Sequence, residues 1–217
     1  MTLSNSYCDP TTDNVCKMLD PFPISPPAPL VRLIQPVADA LSLPTLPLHF
    51  HEVLFALGLY CCVAFFVSPV VSTYLFPDRY PNLNRRTRIN WDVHVVSFVQ
   101  SIVICTLSIC LIVFDKERAA WKDVRSIGLA GDPEGSLESG PAGWERRIWG
   151  YTGMTGLVQS FALGYFLWDF YMCSRFVHIF GWGMLAHAIS ACTVFLLGFV
   201  CPHPMLPPYG KLCLLTC

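Results

Sequence analysis

Apolar residues gather into four long runs along this chain, and polar residues gather between them. The first run, about Val53–Phe76, holds 24 residues without a charge, more than the roughly 20 that a helix needs to cross a bilayer. The second, about Val93–Phe114, is bracketed by Asp92 and Asp115. The third and fourth cover about 148–168 and 176–201. Runs of this length predict an all-α fold, a multi-pass transmembrane helical bundle of about four spans. A partial fifth begins near Gly210 and stops at Cys217.

The intervals fit that reading. Residues 1–48 form a Pro-rich leader, with five prolines in the ten residues DPFPISPPAP. Pro36, Pro44 and Pro47 interrupt the apolar stretch that follows, so a short interfacial helix over about 37–43 is expected there and not a span. The membrane domain then occupies 49–217, with a flexible loop over 115–147 that is rich in glycine and acids.

Within the runs, small and polar residues recur on single helix faces. His94, Ser97, Ser101, Cys105 and Ser108 share one face of the second run, and Gly153, Gly156, Ser160 and Gly164 one face of the third. Such faces let helices approach closely in lipid. A pore or ligand lining is the other use of the stripe on the second run.

Composition narrows the class. Hydrophobic residues make up 53% and charged ones 13%, against about 25% charged in soluble domains. The net charge of −1 and the lack of a basic patch give no sign of a nucleic-acid partner. Most of the 11 cysteines lie inside apolar runs, where Cys acts as a small hydrophobe. Cys8 and Cys16 could pair in an oxidising compartment. No Cys-x-x-Cys pair occurs, so a structural zinc site is not expected. No metal and no cofactor is expected.

Ionisable groups inside apolar runs cost several kcal/mol, roughly 2.5–3.5 for Asp at a helix centre, and are functional candidates for that reason. Asp169, at the end of the third run, and His187, deep in the fourth, are the two that stand out. Each also has a plainer reading: an interfacial acid, and a hydrogen-bonded packing histidine. His178 lies near the start of the fourth run and reads as interfacial.

Four segments together resemble the TLC-domain proteins, the group that includes ceramide synthases and translocating-chain-associated proteins. In that family a Trp-Asp-x-Arg-x-x-Ser-x-x-His pattern opens a membrane helix. Trp91, Asp92 and Ser97 match it, while His94 and Gln100 replace the Arg and the His. The segment GYFLWDF matches the family's Tyr-Phe-x-x-Asp at Tyr165, Phe166 and Asp169. MLAHAIS resembles the segment where ceramide synthases carry paired histidines, but Ala186 stands before His187. PPYGKLCLL resembles the opening of the family's next helix.

The resemblance implies an endoplasmic-reticulum membrane protein of lipid homeostasis that binds or senses lipid. Asp169, His187, Trp91, Asp92 and His94 become the candidate polar residues of a lipid site. With one histidine of the pair missing, competent ceramide synthase activity is not expected. Membrane lipids are the expected partners, with membrane proteins a further possibility. The resemblance also implies that the chain is a C-terminally truncated product. Two alternatives stand beside this reading: an acyl-CoA-dependent N-acyltransferase, and a structural or chaperoning membrane partner.

Overall fold

The computed structural model describes residues 21–115 and 151–200. The leader through residue 20 with Cys8 and Cys16, the expected loop beyond Asp115, and the partial fifth helix at Gly210–Cys217 lie outside the described residues.

Every regular element among the described residues is helical. The main helices are α1 (Ala28–Leu41), α2 (Leu46–Leu75), α3 (Arg85–Phe114) and α4 (Gly153–Arg175), followed by a single turn α5 (Val177–Phe180) and α6 (Trp182–Leu197). Helices α2 and α3 are long and apolar enough to cross a membrane, and α6 is a shorter apolar helix. Their outer faces carry exposed Phe65, Phe66, Phe98, Ile109 and Phe114. An apolar surface of this extent belongs against hydrocarbon and not water.

Helix α4 is the axis of the bundle. It runs parallel to α2, where Ser160 lies under the carbonyl of His49 at 3.4 Å. It runs antiparallel to α3, through Ser97 against Tyr165 at 2.9 Å and Thr152 against Asp115 at 2.6 Å. It is antiparallel to α6 as well, where Phe166 stacks on Phe195 at 4.7 Å and the Gln159 amide donates to the Phe195 carbonyl at 2.5 Å. The small-residue face of α4 is buried, as its spacing predicts, and it meets α2.

Local chemistry sets the boundaries. Asn84 caps α3 by accepting from the Thr87 amide at 2.8 Å, and Thr152 caps α4 through the Thr155 amide at 3.2 Å. Pro69 has no N–H to offer one turn back, and α2 widens over Val63–Val67 into a π-helical turn, with the Ser68 amide bonded to the Val63 carbonyl. That widening leaves Ser68 buried and facing α3.

Three boundaries differ from the sequence reading. Helix α1 starts at Ala28 and passes through Pro36. Pro36 is on the exposed side, where the carbonyl it leaves unbonded stays accessible. Helix α4 runs to Arg175, so Asp169 is inside the helix and not at its end. The last run is broken at Gly181, whose φ of 84° suits a residue without a Cβ.

The stripe on α3 is used only in part. Ser97 meets Tyr165, whereas Ser101 and Cys105 are exposed among the described residues, and the buried positions of α3 are Val96 and Gln100. Gln100 accepts a hydrogen bond from the Tyr60 hydroxyl in the core. Tyr60→Phe is expected to cost about 1 kcal/mol, typical of interhelical hydrogen bonds in membrane bundles. A lower melting midpoint in detergent checks this, with Gln100→Leu in the same background giving back part of the loss.

Candidate functional site

A cavity of about 450 Å³ opens between α3, α4 and α6. His94 and Ser97 reach it from α3, Tyr165, Asp169 and Cys173 from α4, and Met184 and His187 from α6. Three of the five candidate residues therefore come together in one space, from three helices. Asp169 is buried, at 7% exposure, and Cys173 points its thiol at the Asp169 carboxylate from 3.8 Å. Helix α6 is mostly exposed here, and His187, exposed itself, borders the cavity from it.

The hydrogen bonds orient the wall. His94 Nδ1 donates to the Asn90 carbonyl at 2.7 Å. The neutral ring thus has Nε2 as an acceptor. Ser97 Oγ donates to the Val93 carbonyl at 3.0 Å, and Tyr165 shares a hydrogen bond with Ser97 at 2.9 Å. The cavity thus combines one carboxylate, two imidazoles and two hydroxyls with apolar walls. A few polar groups among apolar ones is the usual makeup of a small-molecule site, and 450 Å³ falls within the usual range of about 300–1,000 Å³.

Trp91 and Asp92 are not among the residues that line this cavity. The Trp91 indole donates to Ser72 Oγ at 2.9 Å, and Asp92 accepts from Ser68 at 2.6 Å and from Tyr80 at 2.8 and 3.0 Å. Together they latch the start of α3 onto the end of α2 and the turn between them. Burial, then the hydrogen bond and charge of Asp92, push the Tyr80 phenol up from 10.0 to about 12, with Arg88 pulling the other way. The folded-state value lies above the unfolded one. Tyr80's contribution to stability is therefore complete below pH 10 and lost as pH rises through about 12. Asp92→Asn is expected to lower the Tyr80 midpoint while burial keeps it above 10.0. Ultraviolet titration of tyrosinate checks this, with Tyr80→Phe assigning the signal.

A second polar cluster escaped the sequence reading. His49 and Glu52, 2% and 0% exposed, meet at 3.0 Å near the start of α2. Beside them, His51 donates to the Ile24 carbonyl at 2.8 Å. A Cβ at Gly156 would collide with the His49 ring and the Tyr151 hydroxyl. The i, i+3 spacing of His49 and Glu52 at the edge of an apolar run was the available signal.

Comparison with known proteins gives the following. The family model of the TLC domain matches residues 90–216, a stretch that contains every residue lining the cavity. An uncharacterized TLC domain-containing protein of Schizosaccharomyces pombe is 35% identical over 185 residues, covering 85% of this chain and 53% of its own length. Topoisomerase I damage affected protein 4 of Saccharomyces cerevisiae is 24% identical over 151 residues, covering 69% of this chain and 44% of its own. The chain thus spans about half the length of the curated relatives it matches. No solved structure matches it.

Proposed function

This chain belongs to the TLC-domain family, and from that premise we propose that it is a multi-pass endoplasmic-reticulum membrane protein that binds or senses lipid in membrane lipid homeostasis. The polar part of a lipid occupies the cavity between α3, α4 and α6, with Asp169 and His187 as its anchors. Helices α2, α3, α4 and α6 each cross the bilayer.

The observation that carries this reading is the convergence of Asp169, His187 and His94 on one cavity bordered by hydrocarbon-facing helices. A buried carboxylate is costly to keep unless something binds it. A hydroxyl or amide of a lipid would repay that cost, and a purely packing role would not need a 450 Å³ space beside the carboxylate.

Microsomes from cells fed a fatty acid that carries one diazirine beside its carboxyl group and another far along its chain, so that every class of acyl lipid is labelled next to its polar group and in its tail, provide the test. Illumination should place adducts on the peptides of α4 and α6 that line the cavity. Asp169→Asn should reduce them about tenfold, the effect of losing one charge-assisted hydrogen bond. Labelling unchanged by Asp169→Asn and by His187→Ala would sink the assignment.

One observation favours a second reading, an acyl-CoA-dependent N-acyltransferase. Ala186 leaves His187 without a histidine beside it, but His94 faces the same cavity from α3. An acyl acceptor and a general base need not be neighbours in sequence. Amide formation from acyl-CoA and a long-chain amine by the purified protein, lost in both His94→Ala and His187→Ala, would establish this reading.

A further inference from the structure

Helix α3 is hollowed on both sides. Its inner side borders the cavity of Asp169 and His187. Its outer side carries a groove of about 440 Å³ lined by Thr87, Asn90, Trp91, His94, Val95 and Phe98. Asn90 and His94 belong to both linings. The two spaces therefore meet across the edge of α3 at these two residues.

The two sides differ in chemistry. The inner space offers a carboxylate, imidazoles and hydroxyls. The outer one offers the open faces of Trp91 and Phe98, which are 38% and 66% exposed. From Thr87 to Phe98, α3 rises about 16 Å, close to half of the roughly 30 Å hydrocarbon core and so to one leaflet. A single amphiphile would satisfy both: a polar group inside, and a chain outside along one leaflet's depth.

We propose that the groove and the cavity form one site with lateral access from the bilayer, in which a membrane lipid reaches over His94. Its polar group lies against Asp169, and one hydrocarbon chain lies in the groove along Trp91, Val95 and Phe98. The occupant of the groove is thus the chain of the same lipid whose polar group is in the cavity. His94 is the sill between the two. Its Nδ1 is held by the Asn90 carbonyl at 2.7 Å, which fixes the ring at that junction and leaves Nε2 free to accept from a passing hydroxyl or amide. The inference rests on the lipid-binding reading above and adds the class of ligand and its route.

The same diazirine-labelled microsomes separate the two claims. Phe98 and Ile109 are similarly exposed on α3, at 66% and 60%, so lipid that merely surrounds the helix labels both alike. A held chain should label Phe98 about fivefold more than Ile109. His94→Trp, which fills the junction, and Asp169→Asn, which removes the polar anchor, should each bring that ratio to about one. Val95→Trp fills the groove directly and should lower groove adducts while leaving cavity adducts in place. A ratio near one in the unaltered protein, with Asp169-dependent cavity adducts still present, would overturn the lateral site and leave the lipid-binding reading standing. A high ratio that both His94→Trp and Val95→Trp leave untouched would also overturn it. Absence of Asp169-dependent cavity adducts would end both claims.

Discussion

Gly164→Leu is expected to be among the most damaging single changes in the bundle, costing about 3 kcal/mol or more. At Gly164, α4 lies directly against the backbone of α2. A Cβ there would lie 2.6 Å from the Ala56 Cβ and 2.9 Å from the Val53 carbonyl oxygen. Neither can move aside as a long side chain would, because one is attached directly to the backbone and the other is part of it. The helices must therefore part. In lipid no hydrophobic force pushes them back together, and the packing lost is the packing that held them. Most of the buried residues of α4, Phe161 and Trp168 among them, would feel the change. At about 2–4 °C per kcal/mol for a chain of this size, the melting midpoint in detergent should fall by about 10 °C. Gly58→Leu is the control. Gly58 lies on α2 with nothing within 4 Å of its would-be Cβ, and removing a helical glycine there should leave stability equal or slightly higher. Equal melting of the two variants would show that the α2–α4 approach is not what holds the bundle.

That approach was legible in the sequence because Gly153, Gly156, Ser160 and Gly164 repeat with the helical period. The same logic misjudged α3. Its stripe from His94 to Ser108 has the same period, and His94 and Ser97 line the cavity, yet Ser101 and Cys105 are exposed while Val96 and Gln100 are buried. Periodicity reveals that a face exists and not which partner covers it. In hydrocarbon the apolar face gives no clue either, because lipid and protein interior have similar polarity.

The candidate site divides in the same way. Asp169 and His187 stood out because ionisable groups in apolar runs are costly wherever they point, and His94 because it departs from the family pattern. Trp91 and Asp92 share that pattern but latch onto Ser72, Ser68 and Tyr80. Their partners depend on the widened turn before Pro69, which a run of apolar residues does not announce. Glu52 was missed because its burial comes from what closes over it. Ser160 lies beneath the His49 backbone and Phe199 lies beside the His49 ring. Both are more than 100 residues away in the chain.

That hidden cluster carries the second large effect. His49→Leu is expected to cost about 3 kcal/mol, the lower end of the range for breaking one side of a buried pair. The cost comes from Glu52, which has no exposure and loses the imidazole 3.0 Å from its carboxylate. His51, 4.0 Å away on the same side chain's Oε1, recovers part of the interaction, which is why the lower end applies. Replacing both partners with apolar residues removes the buried polar group together with its partner. His49→Leu with Glu52→Met should therefore be more stable than His49→Leu alone, and thermal melting of the four proteins of the cycle measures the coupling. Equal losses in the single and double variants would mean that the two side chains do not act as a pair. Lipid labelling distinguishes this cluster from the cavity. Ser160, next to His49, and Asp169 are nine residues apart on α4, about 14 Å along the helix. Below its lowered melting temperature, His49→Leu should leave Asp169-dependent adducts at their full level, because the pair holds the α2–α4 end of the bundle and the cavity sits beyond it.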